Sequence, residues 1–362
     1  MFISIITVVL VLSLVIFVHE LGHFLTAKKM GAKVEEFGFG YPPKIFGIKK
    51  GETTYSINWI PFGGFVRIKG EVGEEGKQPS KDSLLSKPIW QRAVVMAAGV
   101  GMNILLAIIL YSLSFALGSP GYVGDLPEGD AQVTERKVQI LSVNPDSPAE
   151  QAGLEIGDVI VSIDGQEYQT TDQINKYNQD KFGQEITLQI QNGDQTTEKK
   201  LTLTTMDEED GPRAIMGVQL AETGLIRYPW WQAIWLGIKY TFSLIGMLFV
   251  FLFNLVKGLF MGQPVGSGVT GPIGVAFLTD KIIKLGFTYI LNFVALISVN
   301  LAVFNLLPFP PLDGFRLVLL GLEKARDRRI SIKTENAIQT AGFVLLIGLA
   351  IFIAVMDWRR FF

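Results

Sequence analysis

Uncharged apolar runs at Met1–Val18 (continuing to Ala27), Ala93–Leu117, Leu285–Leu312 and Asn336–Met356 are each long enough to cross a bilayer as a helix. The first lacks a basic leader and a small-residue cleavage site, so it reads as a retained span rather than a signal peptide. A shorter run, Tyr240–Val256, follows Trp230, Trp231, Trp235 and Lys239. That mixture suits the membrane interface, and the run is expected to lie along it or to dip in and return. Between the spans the pattern changes period. Thr53–Ile60 alternates with Tyr55, Ile57 and Trp59 on one side, Pro61-Phe62-Gly63-Gly64 turns, and Phe65–Lys69 alternates again, which predicts a β-hairpin. So many aromatic and aliphatic residues fit either a small packed subdomain or a hairpin leaning on the bilayer.

Ser119–Leu225 is polar and mixed. Within it a short helix is stopped by Gly153, a strand runs Val159–Ile163 into the Asp164-Gly165 turn, a helix covers Thr171–Asn178, and a hairpin Glu185–Leu203 turns at Asn192-Gly193. Glu71–Lys87 reads as a flexible connector, Gly262–Gly274 as irregular, and Val275–Lys284 as a short amphipathic helix. The predicted class is therefore a polytopic α-helical membrane protein of about four transmembrane helices with an inserted α+β domain. Its expected segments are 1–30 (first span), 31–90 (membrane-associated hairpin region), 91–118 (second span), 119–225 (inserted domain), 226–284 (interfacial and amphipathic helices), 285–314 (third span), 315–335 (loop) and 336–362 (fourth span).

Composition agrees: 49% of the 362 residues are hydrophobic, too apolar for an ordinary soluble enzyme. The net charge of −2 gives no sign of a nucleic-acid partner, and the absence of cysteine excludes disulfides and thiolate metal sites. Charge distribution orients the spans. Lys28–Arg92 carries 12 Lys/Arg and Gly314–Glu335 carries 6, whereas Ser119–Arg227 has 8 basic against 20 acidic residues. By the positive-inside rule the two basic segments face the cytoplasm, while the acidic domain and both termini lie outside.

Candidate chemistry sits in the first span. His19-Glu20-Leu21-Gly22-His23 contains the chain's two histidines, four apart and so on one helix face. They can share a zinc ion while Glu20 handles a water proton; two polar residues ending an anchor helix is the bland alternative. The third span ends Asn305-Leu306-Leu307-Pro308-Phe309-Pro310-Pro311-Leu312-Asp313-Gly314, where three prolines must break the helix. Opposed crossings bring Asp313 to the same cytoplasmic depth as the histidines, which makes it the expected third ligand of an open site. Gly99, Gly101 and Asn103 in the second span read as helix packing, with contact to the metal site as the alternative.

The combination of HExxH, Gly38-Phe39-Gly40, Phe62-Gly63-Gly64-Phe65, a domain with Ala152-Gly153-Leu154 and Gly157-Asp158, and Asn305-x-x-Pro308-x-Pro310-x-Leu312-Asp313-Gly314 resembles the site-2 protease family of bacterial intramembrane zinc metalloproteases with one PDZ domain. The resemblance implies His19, His23 and Asp313 as zinc ligands and Glu20 as catalytic base. It implies that Asn305 holds substrate backbone and that the hairpin residues Tyr55, Ile57, Trp59, Phe62, Gly63, Gly64 and Phe65 receive the substrate as an added strand. It further implies a multi-pass protein of the bacterial cytoplasmic membrane acting on single-pass proteins such as anti-sigma factors or signal-peptide remnants. The extracytoplasmic PDZ domain would bind peptide C-termini, with Ile215-Met216-Gly217-Val218 as the loop of suitable character. Phe315 stands where the family often has a second glycine, and Val100 where it often has proline. Two rivals are a membrane-tethered PDZ adaptor with a dead centre and a metal transporter. The transporter predicts further charged ligands along the spans, where Asn103, Asn292, Asn300 and Asn305 supply only amides.

Overall fold

The computed structural model describes residues 2–71, 80–125, 131–179, 181–193, 195–208, 211–262, 274–275, 279, 282–283 and 285–361. Residues 72–79 of the expected Glu71–Lys87 connector, and most of the expected Gly262–Gly274 stretch and Val275–Lys284 helix, lie outside them. Two compact units form. One comprises Met1–Ser112, Ile234–Ile283 and Ile290–Phe362; the other comprises Leu113–Ala233 with Lys284–Tyr289.

The first unit is built on long apolar helices: α1 (Phe2–Lys29), α2 (Ile89–Leu117), α5 (Trp230–Phe260), α6 (Phe287–Leu306) and α8 (Ile332–Phe361). Lys28 and Lys29 close the last turn of α1, where positive charge complements the helix dipole. Among the described residues, all five helices are long and apolar enough to cross a membrane. The Tyr240–Val256 run extends further as a helix than its uncharged stretch suggested. It is the middle of a 31-residue helix, about 46 Å long at 1.5 Å per residue against a hydrocarbon core of about 30 Å. An unbroken helix does not dip and return, so that form of the expectation is corrected; the tryptophans that suggested an interface form its first turns. The segment expected as a loop after the third span is also largely helical. Helix α6 stops at Leu306, and Asp313 opens the amphipathic helix α7 (Asp313–Arg326). Its charges drew the loop reading, but Leu317 and Leu320 pack beneath them onto the core formed by Phe24, Val34, Phe37, Val95 and Met96.

The predicted hairpin takes a different form. Strands β1 (Val34–Lys50) and β2 (Thr53–Ile68) turn at Gly51-Glu52, and both are bent. Lys44–Lys50 pairs antiparallel with Thr53–Asn58. The first half of β1 pairs on one side with Gly64–Ile68, as in Val34↔Ile68 and Phe37↔Val66. On its other side the partner numbers rise together, Phe37↔Tyr55 to Phe39↔Ile57, the mark of a parallel neighbour. The segments expected as the two arms, Thr53–Ile60 and Phe65–Lys69, therefore do not pair with each other, because Glu36–Phe39 lies between them. The central place satisfies the backbone of Glu36–Phe39 on both edges while Val34, Phe37 and Ile68 join the core.

The second unit follows the expected order closely. A sheet runs β3 (Ser119–Tyr122), β11 (Val218–Arg227), β4 (Gln132–Val143), β5 (Val159–Ile163), β7 (Glu185–Asn192), β8 (Gln195–Thr202) in space, with β6 (Gln166–Glu167) beside β5. Two short strands, β9 (Thr204–Glu208) and β10 (Gly211–Ile215), form a separate ribbon. Helix α3 (Pro148–Gln151) is followed by Gly153 at φ +70°, and helix α4 (Thr171–Asn178) starts at a Thr170/Gln173 capping box. Ile186, Leu188 and Ile190 alternate inward onto Val138, Ile140, Ile160, Ile163 and Ile174.

Candidate active site

The HExxH residues lie on α1, nearly five turns from its start and about two from its end, so both imidazoles leave the same face. They are buried at 6% exposure each, while Glu20 beside them is half-buried. Asp313 reaches them from a point 294 residues away in sequence. Its Oδ2 lies 3.0 Å from His19 Nε2 and 3.3 Å from His23 Nε2, and the two Nε2 atoms are 3.2 Å apart. Three donor atoms thus form a nearly equilateral triangle. A tetrahedral zinc site with metal–ligand bonds of about 2.0–2.1 Å needs ligand separations of about 3.3 Å. Two imidazoles and one carboxylate are also a donor set suited to catalytic zinc, leaving the fourth position for water or substrate. His19, His23 and Asp313 fit the ion, and among the described residues no other cluster of three metal-ligating side chains forms.

Helix α2 forms the wall behind the imidazoles, and its part was the least legible in the sequence. His23 Nδ1 donates to the Val95 carbonyl at 2.8 Å, which leaves the Nε2 lone pair facing the cluster. Asn103, fully buried, brings its amide to 3.3 Å from His19 Nδ1. The packing reading of Asn103 is therefore incomplete: it touches the site itself. Gly22 and Gly99 allow the close approach. A Cβ on Gly22 would meet the Ala98 carbonyl at 2.3 Å, and one on Gly99 would meet His23 Nε2 at 2.4 Å and His19 Cε1 at 2.6 Å. Gly99→Ala is accordingly expected to push both rings out of line. Zinc retention during dialysis against a chelator should fall at least about tenfold, and turnover about 100-fold, the usual cost of a displacement near 1 Å.

Asp313 is held by the start of α7, where a carboxylate is favoured by the helix dipole. That helix is pinned to the beginning of α2 by Arg92–Glu323 at 2.7 Å; Glu323 also meets Arg329, just past the end of α7, at 3.3 Å, and Arg316 pairs with Glu71. Arg92 is buried at 5% exposure, so removing Glu323 strands a charge.

The residues expected to receive substrate divide into two groups. Gly63 and Gly64 are buried against α1. Gly63 N–H donates to Ser13 Oγ at 3.2 Å, Ser13 Oγ in turn donates to the Pro61 carbonyl, and a Cβ on Gly63 would meet Ile16 at 2.4 Å. Phe65 stacks on Tyr41, with ring centroids 6.4 Å apart. Burial, and then the charge of Glu20, push the Tyr41 phenol above the ordinary range. Tyr55 packs edge-on against Phe24, while Ile57, Trp59 and Phe62 are exposed. Asn305 lies half-buried in the last turn of α6. Sequence reasoning missed Ser13 and Val95. Val95 acts through a backbone carbonyl, which no residue type can signal.

A family model described as Peptidase family M50 matches residues 7–349. The chain belongs to peptidase family M50. This is the site-2 protease family, and the M50 chain is a zinc metalloprotease of that type. It is 37% identical over 354 residues to a Clostridium perfringens protein named "Putative zinc metalloprotease", covering 98% of each chain. It is 27% identical over 446 residues to zinc metalloprotease RasP of Oceanobacillus iheyensis, covering 99% of each. One solved structure, the PDZ domain of an SdrC-like protein from Listeria monocytogenes, matches 25% of this chain and 92% of its own at 28% identity and a TM-score of 0.22.

Proposed function

We propose that this M50 protein hydrolyses peptide bonds within or next to the transmembrane segments of membrane-anchored proteins, with His19, His23 and Asp313 holding the zinc and Glu20 as catalytic base. The observation that carries this is the triangle of donor atoms, 3.0–3.3 Å on a side, formed by two separate elements beside Glu20. When bound, zinc supplies Lewis acidity, acidifying a water and drawing charge from the scissile carbonyl. Glu20 takes the proton of that water and returns it to the leaving amine. Val95 holds the His23 ring by its Nδ1–H. Burial of both histidines keeps bulk water from competing for the substrate's carbonyl.

A transmembrane helix hides its carbonyls in hydrogen bonds, so the substrate must open locally. The β1/β2 sheet supports a way to offset that cost. It rests on α1 at Ser13–Phe17 just before the HExxH residues, its edge strands have unpaired edges among the described strands, and Asn305 lies nearby in sequence to Asp313. A substrate segment adding as a strand satisfies its exposed backbone groups. Ile45, Phe46, Ile48, Ile57 and Trp59, each more than half exposed, give the outer part of the sheet an apolar surface suited to the bilayer.

The same triangle supports a topology. If α1 and α2 cross in opposite senses, α6 must return from the outer side for Asp313 to reach His19. Helix α5 and the chain joining it to α6 then make no net crossing, and α8 leads outward. Together with the excess of Lys and Arg in Lys28–Arg92, this supports a chain of the bacterial cytoplasmic membrane with that segment in the cytoplasm and the PDZ-like domain outside. There the outer edge of β11 at Val218–Glu222 is free of β3, which covers Thr223–Ile226. The Ile215–Val218 loop leads directly into it and suits capture of a peptide C-terminus. Single-pass substrates such as anti-sigma factors and signal-peptide remnants fit this arrangement. A dead adaptor has no use for an intact triangle and base, and a transporter needs further ligands along a path.

The test is reconstitution in liposomes with zinc and a single-pass peptide, the cut being mapped by mass spectrometry. Cleavage near the cytoplasmic end of the peptide's apolar segment is expected. Cuts confined to soluble loops, or none with fully zinc-loaded protein, would overturn the reading.

A further inference from the structure

The structure leaves one buried acceptor beside the cluster without a partner. Asn103 Oδ1 is buried and makes no hydrogen bond, while Nδ2 of the same amide lies 3.3 Å from His19 Nδ1. With nitrogen toward the ring, Nδ1 must accept and the imidazole proton stays on Nε2, where it points at Asp313 Oδ2 3.0 Å away. That tautomer has no Nε2 lone pair to offer a metal. An amide presents donor and acceptor in nearly the same place, so turning it over sets Oδ1 against Nδ1. The oxygen then gains its partner, the proton moves to Nδ1, and Nε2 is freed, matching the arrangement Val95 already imposes on His23. The position is well anchored: Asn103 is fully buried, and Ser298 of α6 donates to its backbone carbonyl at 2.9 Å.

We propose that Asn103 is a positioning residue for the metal, its Oδ1 accepting from His19 Nδ1–H and so selecting the metal-binding tautomer of that ring. This rests on the reading of His19, His23 and Asp313 as zinc ligands. The proposal makes a split between two substitutions. Asn103→Asp keeps an acceptor at the ring, whereas Asn103→Leu keeps the volume and removes it. In full-length protein, Asn103→Leu is expected to weaken zinc about 10–100-fold, the range for lost outer-shell partners. Asn103→Asp should lose less than about tenfold, the lower end of that range. Zinc affinity is read by competition with a chromophoric chelator, and the cobalt-substituted proteins report ligand geometry by their visible spectra.

A second measurement needs no substitution. Because the chain has two histidines, ¹⁵N-histidine labelling yields four ring-nitrogen signals. Both Nδ1 atoms are expected to be protonated in the zinc-loaded wild type. Asn103→Leu binding zinc within about twofold of wild type, Asn103→Asp losing as much as Asn103→Leu, or a His19 Nδ1 without its proton in the loaded protein would each overturn the role. Asp313→Ala serves as the separate control: if it retains wild-type zinc affinity, the ligand set is wrong, whatever Asn103 does.

Discussion

Glu20→Gln leaves one zinc per chain but lowers turnover of a transmembrane peptide by about 10³-fold or more, within the span of general acid–base effects. The substitution keeps the size and hydrogen-bonding reach of the side chain and removes its basicity. Glu20 is outside the triangle formed by His19, His23 and Asp313, so metal content is expected to stay unchanged. Single-turnover cleavage and metal analysis on the same sample check both halves. A Glu20→Gln protein that cleaves within tenfold of wild type would remove Glu20 from the reaction. Because substrate still docks, cells carrying this variant should also accumulate uncut membrane fragments, and proteomics of those fragments identifies the physiological substrates.

Asp313→Ala acts at the other end of the same machinery. A fully liganded zinc site is worth about 10–16 kcal/mol spread over four ligands, so losing one costs about 3–4 kcal/mol, on the order of 10²–10³-fold in affinity. The expected result is protein that folds, loses zinc to a chelator far faster than wild type, and shows no cleavage at trace zinc. Excess zinc should restore only a small part of the activity, because the remaining imidazoles no longer fix the ion's position. Asp313→Ala and Glu20→Gln therefore fail differently, one through the metal and one through the proton. Equal zinc retention in the two variants would contradict the assignment of Asp313.

Much of the second unit was legible because its signals are local. Gly153 at positive φ, the Asp164-Gly165 turn, the Thr170 cap and the inward alternation of Ile186, Leu188 and Ile190 are each decided within a few residues. The β1/β2 region was misread for the complementary reason. Gly38, Gly40 and the Pro42-Pro43 pair mask the strand character of β1, since glycine and proline disfavour strands. Its central place in the sheet comes from Val34 and Phe37 joining a core with residues of α1 and α2. Helix α7 was hidden by its charges, whose partners Arg92 and Glu71 lie more than 200 residues away.

By itself the chain's order of residues determined the apolar helices, the pairing of His19 with His23 and the nearness of Glu20, because helical spacing places those groups without outside help. The chemistry expected of Asp313 also followed from its type and its place after a proline-broken span. Only the tertiary structure decided that α2 supplies Val95, Gly99 and Asn103 to the imidazoles, and that α7 carries Asp313 to within 3.0 Å of His19. The physical reason is that donor direction and ring tautomer depend on backbone carbonyls and amide orientation across packed helices. Those quantities exist only once the helices have met.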